Sequence, residues 1–183
     1  MKRILLWILV LPLAACATLL EPRPGSLLAA APVGGTLTLT TPLEVPVTSA
    51  RVYIQGARTV TYWNLDEYYP YCVLRLSTVS DRARTVAPDT FTITRTFNDT
   101  DQAARRGVMV AGLNVGVSGV GVGDGDADHG VVQAYFITRI FLSSAGQPDV
   151  VYLDCASKSD YALGDYLTRE EFRSAVGDVF RLG

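Results

Sequence analysis

The fold is decided by one stretch of the sequence, Val131-Val132-Gln133-Ala134-Tyr135-Phe136-Ile137-Thr138-Arg139-Ile140-Phe141-Leu142. Apolar residues recur at alternate positions on one face of this stretch, which is the pattern of a β-strand with one side buried. They are Val132, Ala134, Phe136, Ile140 and Leu142. The turn Ala145-Gly146-Gln147-Pro148 separates this stretch from a second apolar run at 149–155. The two runs therefore predict a β-hairpin.

Further strands are predicted upstream by the same alternation. The clearest is 89–97, where Phe91 and Ile93 face one side and Thr90, Thr92, Thr94 and Thr96 face the other. Shorter alternating runs lie at 36–40, 43–47, 51–55 and 72–78. Pro42 and Pro46 favour an edge position for the second of these runs, because proline cannot donate to a strand ladder. The total is about six or seven strands.

A helix is predicted at the end of the chain. Thr168 followed by Glu171 is the pattern of a capping box. The apolar residues that follow share one helical stripe. They are Phe172, Ala175, Val176, Val179 and Phe180. We expect an α+β domain, mainly an antiparallel β-sheet covered by this one C-terminal amphipathic helix.

The first residues have the parts of an export signal: the basic Lys2 and Arg3, then an apolar run at 4–13. That run is too short to span a bilayer of about 30 Å as a helix. It ends in Leu13-Ala14-Ala15-Cys16, which resembles the lipobox of bacterial lipoproteins. An ordinary signal peptide with a chance cysteine is the alternative.

The resemblance implies cleavage before Cys16, a diacylglycerol thioether on its sulfur and acylation of its amino group. Ala17, rather than Asp, follows the cysteine, so the resemblance points to the outer membrane of a Gram-negative bacterium, with the protein facing the periplasm. At about 0.8 kcal/mol per buried methylene, several acyl chains make such anchoring permanent. In layout the chain is similar to many proteobacterial lipoproteins, a likeness that implies no activity.

The expected organisation has three parts. Residues 1–15 are the removed signal peptide, 16–35 carry the lipidated cysteine and a flexible tether, and 36–183 form a single β-rich globular domain. The tether is rich in Pro and Gly. Its leucines either stay in a plain linker, graze the membrane or dock on the domain. They are Leu19, Leu20, Leu27 and Leu28.

Charge excludes one class of partner. The whole chain has a net charge of −2, and removal of Lys2 and Arg3 takes the mature chain to about −4. An acidic chain with scattered arginines lacks the basic footprint of a nucleic-acid-binding protein.

With Cys16 assigned to lipid, Cys72 and Cys155 are the only cysteines left to pair. Each lies on the apolar side of a predicted strand, in a compartment that permits disulfides. Two buried free thiols are the alternative, and no further His or Cys lies at the spacing of a metal site.

A Gly-rich loop is predicted at 107–130. Its first part, 107–123, carries no charge, and membrane insertion is the alternative to a loop or irregular hairpin. Asp124, Asp126 and Asp128 follow at alternate positions, as in a Ca²⁺ loop. His129 and Tyr135 occupy the glycine and glutamate positions of an EF-hand, so a solvated acidic loop is expected and a weak Ca²⁺ site is the alternative. No other cofactor is expected.

Catalysis is not expected from this sequence. His129 is the only histidine, and no nucleophile is arranged with it. Asp66 and Glu67 are the remaining acid–base candidates, but adjacent residues of a strand point apart.

An aromatic connector spans 62–71 and is unusual in composition. Its rings are those of Tyr62, Trp63, Tyr68, Tyr69 and Tyr71. Tyr and Trp combine large area with a polar group, so they suit surfaces that bind peptides or glycans. The equal alternative is that several of them cap the core beside Cys72.

Together these patterns predict an outer-membrane lipoprotein that acts as a binding, structural or assembly factor, with an envelope protein as partner. The alternative is a small-ligand or glycan-binding module that uses the aromatic connector.

The anchor is tested by Cys16→Ala. Without the acylated cysteine, we expect the protein to leave the membrane fraction and appear in the soluble periplasmic fraction. Fractionation of cells followed by immunoblotting measures this. A variant that stays with the outer membrane would contradict the lipid anchor, and Cys72→Ala, which keeps Cys16, is the control expected to stay there.

Overall fold

The computed structural model describes residues 22–102 and 132–183. Ten strands and two α-helices occur in these ranges. The strands are β1 (Thr36–Leu39), β2 (Leu43–Val45), β3 (Arg51–Gln55), β4 (Arg58–Val60), β5 (Tyr71–Leu76), β6 (Arg84–Val86), β7 (Asp89–Gln102), β8 (Gln133–Ser143), β9 (Val150–Asp160) and β10 (Phe180–Leu182). The helices are α1 (Leu27–Ala30) and α2 (Arg169–Val176), and a short 3-10 helix lies at Tyr62–Asn64.

Eight of the strands form one curled antiparallel sheet of half-barrel shape. Their order is β10-β1-β7-β8-β9-β5-β3-β4, and β2 pairs with β6 in a separate two-stranded sheet. The predicted hairpin is confirmed: β8 and β9 are antiparallel neighbours from Gln133↔Asp160 to Phe141↔Tyr152. Mainly antiparallel β-structure with a C-terminal helix is therefore correct.

The core lies between one face of this sheet and α2. Leu74, Ile140 and Leu153 are fully buried on the sheet side, and Phe172 and Val176 are buried on the helix. We call this side the helix-covered face. Leu74, Ile140 and Leu153 all lie on the helix-covered face, because successive side chains of a strand point to opposite faces of the sheet.

The predicted disulfide between Cys72 and Cys155 is confirmed. The two residues lie directly opposite each other on β5 and β9, with their Cα atoms 4.1 Å apart, and both are fully buried. The bond closes a separation of 83 residues, for which chain entropy predicts a stabilisation of roughly 4 kcal/mol.

The C-terminal helix is shorter than predicted. Both halves of the capping box are present, with the Thr168 hydroxyl accepting from the Glu171 N–H at 3.2 Å. The helix ends at Gly177, whose φ of +56° is a conformation that side chains rarely adopt. Phe180 therefore does not continue the helical stripe but pairs with Leu39 as the first residue of β10. Within the described ranges, no helix is long and apolar enough to cross a membrane.

The strand count of six or seven was too low. The runs that escaped prediction, β4, β6 and β10, have three residues each. Three residues are too few to show an alternating pattern. Such short segments become strands because they form backbone hydrogen bonds with a neighbouring strand. β7 also runs on past Phe97 through polar residues, because β8 pairs with it as far as Gln102.

The expected tether is folded in the part that the structure describes from Ser26 onward. Ser26 caps α1, the Leu27 N–H donates to the Leu167 carbonyl at 2.8 Å, and Leu27 and Ala31 are fully buried. The Thr96 hydroxyl donates to the Ala31 carbonyl at 2.8 Å. Residues 26–31 therefore pack on the domain, and a tether on the domain's N-terminal side ends before Ser26.

This docking predicts a difference between two adjacent leucines. Leu27→Ala removes a fully buried side chain, so we expect the free energy of unfolding to fall by about 2–5 kcal/mol. Leu28→Ala is the matched control, because Leu28 is partly exposed, and its effect should be under about 1 kcal/mol. Urea unfolding of both variants measures the difference. Equal, small losses of stability in both variants would contradict the packing of residues 26–31 on the domain.

Candidate ligand-binding face

The second face of the sheet is partly exposed and carries charged and aromatic side chains. It consists of the positions on β3, β5, β7, β8 and β9 that alternate with the core residues, and we call it the open face. It extends from Arg51 and Tyr53 on β3 to Arg95 and Phe97 on β7. The helices pack against the opposite side.

A β-bulge on β7 decides which residues reach the open face. The register shifts between Ile93, which lies opposite Leu142, and Arg95, which lies opposite Phe141. One extra residue reverses the alternation beyond it. Thr96 was predicted to share a face with Thr90, but the bulge turns it to the helix-covered face, where it pairs with Ile140. Arg95 and Phe97 take the open face instead.

Five side chains form one row across the open face, which we call the Arg–aromatic row. In strand order they are Arg95, Phe141, Tyr152, Arg75 and Arg51, each directly opposite the next. The Arg95 guanidinium carbon lies 4.4 Å from the centre of the Phe141 ring, and that of Arg75 lies 5.8 Å from the centre of the Tyr152 ring. These are cation–π distances.

An ion pair lies beside this row. Arg139 Nε and Nη2 donate to the two carboxylate oxygens of Asp154 at 2.6 and 2.9 Å, and its guanidinium carbon lies 4.5 Å from the Tyr152 ring centre. Burial raises the pKa of the Asp154 carboxyl above its usual value, while the bonds from Arg139 oppose that rise. The same hydrogen bonds raise the pKa of Arg139. The hydrogen bonds from Arg139 therefore offset the cost of burying the charged Asp154 carboxylate.

The aromatic connector covers one end of the open face and forms a groove of about 410 Å³. The Gln55 side chain holds the connector: its amide nitrogen donates to the Asp66 carbonyl at 2.7 Å, and its oxygen accepts from the Asp66 N–H at 3.0 Å. Tyr62 and Leu65 line the groove together with sheet residues such as Val73 and Ile137.

The five rings of the connector have different environments. Trp63 is 88% exposed, and Tyr62, Tyr68 and Tyr69 are also exposed. Tyr71 is only 8% exposed, and it lines the groove on the open face rather than joining the core beside Cys72. Burial, together with the nearby Glu67 carboxylate, raises the pKa of its phenol. Four rings therefore remain available to a ligand or partner.

The acid pair Asp66 and Glu67 takes part in contacts within and around the connector. The Asp66 carboxylate accepts from the Tyr68 N–H at 3.1 Å, as in a turn. The Glu67 carboxylate accepts from the Tyr135 hydroxyl at 2.6 Å and lies 3.7 Å from Lys158 Nζ. Both acids hold the connector in place.

The predicted Ca²⁺ ligands Asp124, Asp126 and Asp128, and also His129, lie outside the described residues. Within ranges 22–102 and 132–183, no three His, Cys, Asp or Glu side chains are grouped as metal ligands would be. What the described face offers a ligand is guanidinium groups, aromatic rings and a groove.

Comparisons with known proteins do not extend this description. No family model, curated protein or solved structure matches the chain.

Sequence reasoning missed the arginines of the open face. Outward-facing arginines of half-buried strands look like ordinary solvated surface when each strand is read alone. The local signal was an arginine beside an aromatic ring in each of two strands, Arg95 near Phe97 and Arg139 near Phe141. The register of β7 and β8 brings the two pairs together, since Arg95 lies opposite Phe141 and Phe97 lies opposite Arg139.

The ion pair predicts a pH-dependent loss of stability in Arg139→Gln. Without Arg139, the pKa of Asp154 rises further above that of the unfolded chain. The folded state then keeps a proton that the unfolded chain has lost, so stability falls as the pH rises through that interval. We expect a deficit of about 1.5–3 kcal/mol at pH 8 and a smaller one at pH 5. Urea unfolding at both pH values measures it.

Arg139→Gln combined with Asp154→Asn is the control, because it removes the buried carboxyl and with it the added pH dependence. A deficit of Arg139→Gln that is equal at pH 5 and pH 8 would contradict this account of the pair.

Proposed function

We propose that this chain is an outer-membrane lipoprotein, anchored through Cys16 and facing the periplasm, whose domain is a glycan-binding module that uses the open face. The observation that carries the proposal is the open face itself, where aromatic rings and guanidinium groups flank a groove of about 410 Å³. Groove volumes of about 300–1,000 Å³ are typical of ligand sites.

The exposed rings support a sugar ligand. Phe97, Phe141 and Tyr152 are only partly buried in the middle of the sheet, although burying a large side chain fully is worth about 1.5–3 kcal/mol. A ligand with an apolar surface would cover them. Tyr62 and Trp63, whose ring centres lie 5.5 Å apart, extend the aromatic surface at the end of the groove.

The anchor limits where such a ligand is found. Eleven residue steps separate Cys16 from the buried Leu27, and a fully extended chain of that length spans at most about 40 Å. The lipid would therefore hold the domain close to the inner surface of the outer membrane. Its ligand would belong to the envelope rather than to the free solution.

A protein partner is the second candidate function, and a different surface favours it. Trp63, Tyr68 and Tyr69 are exposed, and Trp and Tyr dominate the energetic centres of protein interfaces. Crosslinking in intact cells, followed by identification of the attached protein, tests this role. Loss of the crosslink in Trp63→Ala would support it, and an unchanged crosslink would oppose it.

The glycan proposal is tested by blocking the groove. Val73→Trp places a large ring at a groove-lining position, whereas Leu163→Trp adds the same ring at an exposed position that does not line the groove. The detergent-solubilised lipoprotein is applied to an array of neutral and acidic oligosaccharides and peptides. We expect oligosaccharide binding that Val73→Trp reduces at least tenfold and Leu163→Trp leaves unchanged.

Two results would overturn the proposal. One is the absence of oligosaccharide binding by the unmodified protein. The other is binding that Val73→Trp and Leu163→Trp affect equally, because the ligand would then sit elsewhere. Thermal melting of both variants, with transitions close to that of the unmodified protein, shows that a loss of binding is not a loss of fold.

A further inference from the structure

We infer that the ligand of the open face is an acidic glycan, an extended oligosaccharide carrying carboxylates, and that Arg51, Arg75 and Arg95 of the Arg–aromatic row bind its charged groups. This inference rests on the proposed function and names the ligand class for that same face.

The charges of the open face are unevenly matched. Asp154 is bound to Arg139 and Glu67 to Lys158. Among the described residues, the three arginines of the row have no carboxylate within 4.0 Å. The other acids of the face, Asp99 and Asp101, lie four and six residues further along β7 than Arg95, so about 13 Å or more away. One end of the face is therefore cationic.

Two of these arginines occupy directly opposite positions on neighbouring strands. Arg51 and Arg75 are direct partners in the register of β3 and β5. Neighbouring strands lie about 4.8 Å apart, and like charges at directly opposite positions are destabilising. A carboxylate held between the two guanidinium groups would relieve this repulsion.

Two of the arginines, Arg75 and Arg95, are also held in place by neighbouring aromatic side chains. The Arg95 guanidinium lies 4.4 Å from the Phe141 ring centre and 4.8 Å from that of Phe97, and Arg75 Nε donates to the Tyr152 hydroxyl at 3.1 Å. Contact with a ring holds a guanidinium in place and leaves N–H groups for a carboxylate, which for Arg75 are those of its two Nη atoms because Nε is bound to Tyr152. Less side-chain entropy is then lost when the ligand binds.

The length of the row favours a polymer. Arg95 and Arg51 are separated by four strand spacings, about 19 Å, with the rings of Phe141 and Tyr152 between them. A ligand matching this row is extended, has negative charges at more than one point, and has flat apolar surfaces between the charges. Sugar rings that carry carboxylates have both features.

A peptide matches the row less well. Extended peptides are commonly bound by addition to a sheet edge, where backbone hydrogen bonds give the affinity. The row crosses the middle of the sheet, and β7, β8, β9, β5 and β3 all pair with a neighbour on each side. It therefore offers side chains and no free backbone ladder. The mature chain is acidic overall, so attraction of a polyanion would be a local property of the row.

The test compares polygalacturonate with the same polymer after full methyl esterification, which removes the charges and keeps the sugar rings. Binding to the detergent-solubilised lipoprotein is measured at 50 and 200 mM salt. We expect polygalacturonate to bind at least tenfold more tightly than the ester. Its binding should also be weaker at 200 mM than at 50 mM salt, because salt screens charge interactions. Arg51→Gln with Arg75→Gln should reduce this binding at least tenfold. Arg169→Gln with Arg173→Gln removes two charges from the exposed side of α2 and should leave it unchanged.

Each contrary outcome has a distinct meaning. Equal binding of the ester and the acid, both reduced by Val73→Trp, would overturn the acidic class and leave the glycan module standing. Equal losses in the two arginine pairs would overturn the assignment to the row. Binding of polyglutamate but of neither sugar polymer would overturn both the glycan class and the proposed function in favour of an acidic peptide.

Discussion

The structure depends on the pairing of β8 along its length with a neighbour on each side. β7 pairs with it from Gln102↔Ala134 to Thr92↔Ser143, and β9 from Gln133↔Asp160 to Phe141↔Tyr152. Because a strand alternates, this double ladder settles both faces of the sheet at once. A shift of one residue would exchange the core with the open face.

The two faces are stabilised by different interactions. On the helix-covered face, the helices α2 and α1 cover apolar side chains. Thr138 is the one fully buried polar residue in ranges 22–102 and 132–183, and its hydroxyl donates to the Asn98 side-chain oxygen at 2.9 Å. On the open face, the ion pair of Arg139 and Asp154 and the stacked guanidinium groups take the place of apolar packing. Cation–π contacts at exposed positions contribute about 0.5–1 kcal/mol each, less than the full burial of a large apolar side chain.

The bulge on β7 connects fold to site. Without the extra residue after Ile93, Arg95 and Phe97 would point toward the core, and Thr96 would not reach the Ala31 carbonyl. One local irregularity thus contributes the first cation of the Arg–aromatic row and, on the other face, a hydrogen bond that holds the N-terminal segment.

The features that local sequence patterns predicted correctly are those encoded within a few residues. The alternation of 131–142 and 149–155 predicted the hairpin, Thr168 and Glu171 predicted the helix start, and the cysteine count together with strand faces predicted the disulfide partners. The lipobox at Cys16 remains an expectation from the sequence alone. Each of these patterns is local, or follows from a count.

The order of the strands and their register depend on the tertiary structure. Phe180 lies in the edge strand β10 and not in the helix, because the helix ends at Gly177 and β1 pairs with the residues that follow. The tertiary structure also placed Arg51 beside Arg75 and both in line with Arg95, residues that are far apart along the chain. Strand alternation dictates the face on which a side chain lies. Its neighbours across the sheet depend on how the whole chain buries its core, and a local sequence pattern does not contain that information.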